Sequence, residues 1–140
     1  MTPDQIILVQ RSFAQAAPMA DTIAEMFYVR LFAMAPELRG MFPPDMSGQK
    51  KKLMAMLATV VVDLGRLNTL VPAVRSLGQR HATYGVTPDD FALVGAALLR
   101  TLEMVLGDSF TVEVKDAWLG VYTTLTRIML DGMQAMPKAA

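Results

Sequence analysis

Cysteine is absent from this sequence, and histidine occurs once, at position 81. Without thiols there is no disulfide framework, no cysteine-ligated zinc and no cysteine nucleophile, and the expected compartment is a reducing one, the cytoplasm. A single histidine likewise offers none of the paired spacings that mark zinc sites. Neither charge is in excess, since 13 acids balance 13 bases, so no basic field is available to draw in nucleic acid or an anionic membrane surface. Long apolar runs are missing too. The longest near the middle, Leu53–Val62, is bracketed by Lys52 and Asp63, well short of the roughly 18 charge-free residues of a membrane span. Asp4 and Arg11 interrupt the N-terminal apolar residues, which is unlike a signal peptide. No internal repeat, glycine-rich phosphate loop or Cys/His cluster occurs.

What is present is apolar: 53% of the 140 residues are hydrophobic, mean hydropathy is +0.35, and 12 are methionine. This composition implies one domain, residues 1–140, with a core large enough to need no disulfide. It also leaves apolar surface for a non-peptide guest or a subunit contact, with a monomer or weak homodimer expected.

The punctuation is helical throughout. Thr2-Pro3-Asp4 reads as an N-cap with proline at the first helical position, followed by an apolar face of Ile6, Ile7, Val9 and Phe13. Beyond Pro18, the residues Ile23, Met26, Phe27, Tyr28, Leu31 and Phe32 form a second stripe. Pro36 opens a short turn that Gly40 closes, and Pro43-Pro44 forbid regular helix at the next corner. A long helix is expected from about Ser47 to Arg66, with Leu53, Met56, Leu57, Val60, Val61 and Leu64 inside. Its β-branched run Thr59–Val62 also suits a strand, but the periodicity extends over nearly twenty residues, which favours helix. Thr87-Pro88-Asp89-Asp90 repeats the cap-proline-acid start and leads to a stop at Gly107. A final helix from Thr111 to about Ala135 carries Val114, Trp118, Val121, Tyr122, Leu125, Ile128 and Met129 inside, antiparallel to its predecessor across a short hairpin. About seven helical segments joined by unequal corners make an all-α domain that is not a simple four-helix bundle.

The stretch Leu70–Val86 holds His81. Val74, Leu77 and His81 share one helical face, and Thr83-Tyr84-Gly85 reads as the helix end just beyond. An imidazole leaving the last turn toward an apolar interior is a satisfied core histidine or a metal or haem ligand. Upstream, Tyr28 lies on an inner stripe, Phe42 sits at the proline corner, and Gln49 and Leu53 are one helical turn apart. Taken singly each also reads as ordinary packing or, for Gln49, as solvated surface.

In order, the segments FYVRLF, PELRGMF, Q-x-x-x-L, LGQRHATYGV and DAWLGVY closely resemble the bacterial globins, particularly the single-domain haemoglobins and the globin domain of flavohaemoglobins. The resemblance covers essentially the whole chain. It implies a globin fold around haem b (protohaem IX), with His81 as the proximal iron ligand, Phe42 stacked on the haem face, Tyr28 and Gln49 as a distal polar pair, and Leu53 as the distal wall. Leu57, Leu77, Tyr84, Val86, Phe91, Val94 and Leu98 would complete the cofactor's surroundings. Lys52 would place its ammonium on a propionate or, as the alternative, on iron. With one histidine in the chain, bis-histidine ligation within a subunit is impossible, so the sixth iron position is open or weakly occupied. The implied function is reversible O₂ binding with slow release, and NO or CO binding as well. The rival is nitric oxide dioxygenation using an external reductase, since the chain ends about where a globin ends. A third class is a haem-based sensor, disfavoured by the lack of an output domain, or a haem-free domain, disfavoured by His81 with Phe42. One departure stands out: flavohaemoglobin-type pockets back the histidine with a tyrosine at the position of Phe91 and a glutamate at that of Met133. Their loss puts peroxidase-like or dioxygenase-like chemistry in doubt.

Overall fold

The computed structural model describes residues 1–134, with Thr83 described by its backbone alone. Six α-helices account for most of it: α1 (Pro3–Ala16), α2 (Ala20–Met34), α3 (Ser47–Val62), α4 (Leu67–Thr83), α5 (Pro88–Leu106) and α6 (Val112–Gln134). A 3₁₀ turn lies at every junction except that between α4 and α5, the longest spanning Pro36–Met41, and the described residues contain no strand. The expected seventh segment is that turn, too short and too proline-flanked to become an α-helix. Thr2 and Thr87 both form capping boxes, with Gln5 and Asp90, so these two starts are decided within four residues.

The long helix expected to reach Arg66 stops earlier. Asp63 ends α3, a 3₁₀ turn at Leu64–Arg66 redirects the chain, and Arg66 closes the turn by pairing with Asp63 at 2.8 Å. Ile7, expected inside, is 42% exposed. The stripe that α1 presents to its neighbours runs through Ile6, Val9 and Phe13, and Ile7 lies one step of about 100° off it. Ala135, the expected end of the last helix, falls outside the described residues.

The core is built where α1, α2, α5 and α6 meet. Trp118 on α6 donates its indole N–H to Ser12 Oγ on α1 at 2.8 Å, an internal bond between two otherwise buried polar groups. α4 docks on α6 at unusually close range. A Cβ added to Gly78 of α4 would lie 2.2 Å from the Met129 carbonyl oxygen of α6, and one added to Gly132 of α6 would lie 2.3 Å from that of Arg75 on α4. Glycine on each helix lets the opposing backbone approach. α3 packs instead on α2 and α1, so α3 and α4, neighbours in the chain, lack extensive contact with each other. No single helix among the described residues is long and apolar enough to cross a membrane.

Candidate functional site

The first group of site residues is assembled by the corner between α2 and α3. Arg39 reaches over it and donates to the carbonyls of Pro43 and Pro44, both at 3.0 Å, while its guanidinium lies 5.4 Å from the centre of the Phe32 ring. These carbonyls belong to no helix and would otherwise depend on water. The clamp sets Phe42, whose ring stands edge-on to Tyr28 at 5.6 Å and to Phe32 at 5.4 Å. Asp45 then accepts from the Ser47 N–H at 2.9 Å, starting α3 and holding its carboxyl below the usual range. Within the first turn of α3, Gln49 donates through Nε2 to the Tyr28 hydroxyl at 3.1 Å.

Tyr28 is 4% exposed. Burial raises its pKa, outweighing the opposing effect of the Gln49 hydrogen bond. The phenol therefore stays protonated through the neutral range. Its oxygen accepts from Gln49, and its own proton has no acceptor among the described residues. Leu53 follows Gln49 by one turn and is half-buried, and Leu57 beyond it is buried. Lys52 is exposed and has no ion pair among the described residues.

The second group gathers at the end of α4. His81 Nδ1 lies 2.7 Å from the Leu77 carbonyl oxygen. A carbonyl can only accept, so Nδ1 carries the proton and, in the neutral ring, Nε2 keeps its lone pair. The Tyr84 and Val86 N–H groups both donate to the His81 carbonyl at 3.1 Å, and Gly85 supplies the left-handed turn at φ 87°. His81 and Val86 are half-buried. The Phe91 ring, buried, is centred 6.0 Å from the imidazole, and that of Tyr84 is at 6.2 Å, though Tyr84 is 61% exposed and covers the histidine only by an edge. Val94, half-buried, and Leu98, buried, continue this wall along α5. Met133 is half-buried in the last turn of α6.

Tyr122 was not marked as a site residue by the sequence, yet it fixes this wall from behind. Its ring packs against Gly95, where a Cβ would come within 2.4 Å, and its hydroxyl donates to the Phe91 carbonyl. Burial pushes its pKa up to about 12, so it too is a neutral donor. The signal that could have revealed it is the small residue Gly95 facing a large aromatic across the α5–α6 hairpin.

The two groups are thus internally connected, Tyr28 with Phe42 and Gln49, and His81 with Leu77, Tyr84 and Phe91. No hydrogen bond or ring contact among the described residues joins one to the other. Nor is there a cluster of three or more His, Asp or Glu that could hold a metal ion among them.

Compared with known proteins, residues 25–129 match the family model for globins. The chain belongs to the globin family. The cofactor of this family is haem b. This globin is 29% identical to a flavohemoprotein of Bordetella parapertussis over its whole length and 34% identical to one of Bacillus subtilis over 73% of it, covering 36% and 26% of those relatives. It therefore spans about a third of their length. It is also 30% identical to a neuroglobin of Tetraodon nigroviridis, with 75% of each chain covered. Among solved structures, a bacterial globin from Campylobacter jejuni superposes with a TM-score of 0.84 at 20% identity, covering 95% of this chain and 96% of that one. An engineered carbene transferase from Rhodothermus marinus gives 0.86 at 24%, covering 96% and 94%. At these identities the structures speak for the fold.

Proposed function

We propose that this globin binds O₂ reversibly, holding haem through His81 and using Tyr28 and Gln49 as the polar pair on the ligand side. The observation that carries the reading is the Gln49–Tyr28 hydrogen bond, made so that a buried phenol keeps its proton free for a third partner.

The residues present fit a porphyrin. α3 and α4 lack extensive contact, and the half-buried Phe42, Leu53 and Val94 with buried Leu57 and Leu98 supply apolar walls. His81 offers an unprotonated Nε2 oriented by Leu77. Haem, when bound, supplies an iron that takes a diatomic gas. The chain's own contributions follow from its donors and walls. His81 would hold the iron, Phe42 would pack against the porphyrin, and Leu53 and Leu57 would keep water out. Tyr28 donates its proton to a polarised gas ligand, a hydrogen bond worth about 1.5–3 kcal/mol, or roughly ten- to a hundredfold in release rate. Gln49 orients the phenol and strengthens it as a donor. Lys52, exposed on the same helix, is free to meet a propionate.

Kinship with flavohemoproteins supports a second reading, nitric oxide dioxygenation with electrons from a separate reductase. Phe91 and Met133 leave His81 without polar side-chain backing at those positions, which favours binding over catalysis. Cycling the ferrous protein between O₂ and argon tests the choice. Repeated return to the deoxygenated spectrum is expected; rapid oxidation in each cycle, together with sustained NADH-linked NO consumption once a flavin reductase is added, would overturn the reading of reversible binding.

A further inference from the structure

A groove of about 650 Å³ opens between α5 and α6, within the size range of small-molecule pockets, and it shares Phe91, Gly95 and Tyr122 with the wall behind His81. Ala92 and Ala96 line it from α5, and Leu119, Tyr122 and Leu130 from α6. Leu119 is 48% exposed, an apolar side chain left open beside the groove. The lining includes two cations, Lys115 and Arg127, and no acid, and neither cation has an ion-pair partner among the described residues. Beside Arg127, the Thr126 Oγ1 is buried, and its interaction with the Tyr122 hydroxyl opposes the rise in that group's pKa.

We infer that this groove is a binding site for an amphipathic monocarboxylate of the fatty-acid class. Its carboxylate accepts from the Arg127 guanidinium, and its chain lies along the alanine wall toward Leu119. Arg127 and Leu119 are two turns apart on α6, about 12 Å along the axis, which suits a medium to long alkyl chain. An apolar trough flanked by cations and lined by no acid recognises negative charge carried on a hydrocarbon. A second copy of the chain is the competing occupant, and charge argues against it. A two-fold contact through this face would bring Lys115 and Arg127 of one copy toward the same cations of the other, with no lining acid to neutralise them.

The test uses the haem-loaded protein with CO bound and sodium dodecanoate, kept below micelle formation, as the probe in calorimetric titration. Saturable one-to-one binding is expected, weakened at least tenfold by Arg127→Gln and abolished by Ala96→Phe. Ala96 is exposed, so filling the groove there leaves the fold intact, as an unchanged CO spectrum and melting temperature will verify. Dodecanol should bind at least tenfold more weakly than dodecanoate. Equal binding of the alcohol, or dodecanoate binding that survives Ala96→Phe, would overturn the proposal, as would a concentration-dependent dimer that Leu119→Glu dissociates. These readouts depend on the groove alone, so failure of the proposed distal gas site would leave them unaffected.

Discussion

Tyr28 is a buried phenol that neither ionises nor spends its proton, and both properties come from its neighbours. Desolvation favours the neutral form, Gln49 offers a donor to the oxygen, and the surrounding rings of Phe27, Phe32 and Phe42 offer no acceptor. With the pKa raised above its ordinary 10.0, the donor does not titrate in the neutral range, and O₂ release should be flat between about pH 6 and 9; a stopped-flow pH series showing a clear inflection there would assign the effect to another group. Gln49 acts one step back. Gln49→Leu removes a neutral hydrogen bond worth about 0.5–1.5 kcal/mol, so O₂ release should speed by roughly two- to tenfold, less than loss of the phenol itself. His81→Ala should abolish the native ferrous spectrum and weaken haem retention, with exogenous imidazole restoring the spectrum in part. That Tyr28, Phe42 and Gln49 belong to one contact group was legible only through the resemblance, since each taken singly also reads as ordinary packing or solvated surface. Arg39 was not legible, since a surface-type cation gives no sign that it will fold back on carbonyls three to five residues ahead.

At the scale of elements, the position of His81 depends on how α4 lies on α6. That contact is governed by Gly78 and Gly132, each facing the backbone of the other helix. A methyl group at either position cannot be absorbed by a flexible side chain, so the helices must separate. Gly132→Ala should cost about 1–3 kcal/mol of stability and displace the end of α4, readable in denaturant melts and as a shifted ferrous haem spectrum. An unchanged melt would mean that α6 slides without penalty. Starts of helices were legible where side chain and backbone settle them locally, as at Thr2-Gln5 and Thr87-Asp90. The break between α3 and α4 was misread because Leu64 continues the apolar period of α3 while Gly65 and the Asp63–Arg66 pair turn the backbone; burial and chain direction gave opposite signals. Glycines 78 and 132 carried no sequence signal of their role, for the helix that each meets lies more than fifty residues away.

For the molecule as a whole, the helix class and the globin arrangement were legible in periodicity and in the resemblance, whereas the groove between α5 and α6 emerges only from packing. The two helices meet through Gly95 and Tyr122 at one level and part at another. Tyr122 also ties global stability to alkaline pH. Its folded pKa of about 12 exceeds the ordinary 10.0, so its contribution is fully present below pH 10 and lost as pH rises through 12. Tyr122→Phe should be less stable at neutral pH by about 1 kcal/mol, the value of a lost hydrogen bond, and should lose less further stability between pH 10 and 12. Parallel curves in urea unfolding would contradict this. The central claim joins the scales: a chain folded as a globin uses one phenol to retain its gas. The most direct measurement is the O₂ dissociation rate of the ferrous haem protein by stopped flow, wild type against Tyr28→Phe. A rise of about tenfold or more is predicted, and equal rates would contradict the account.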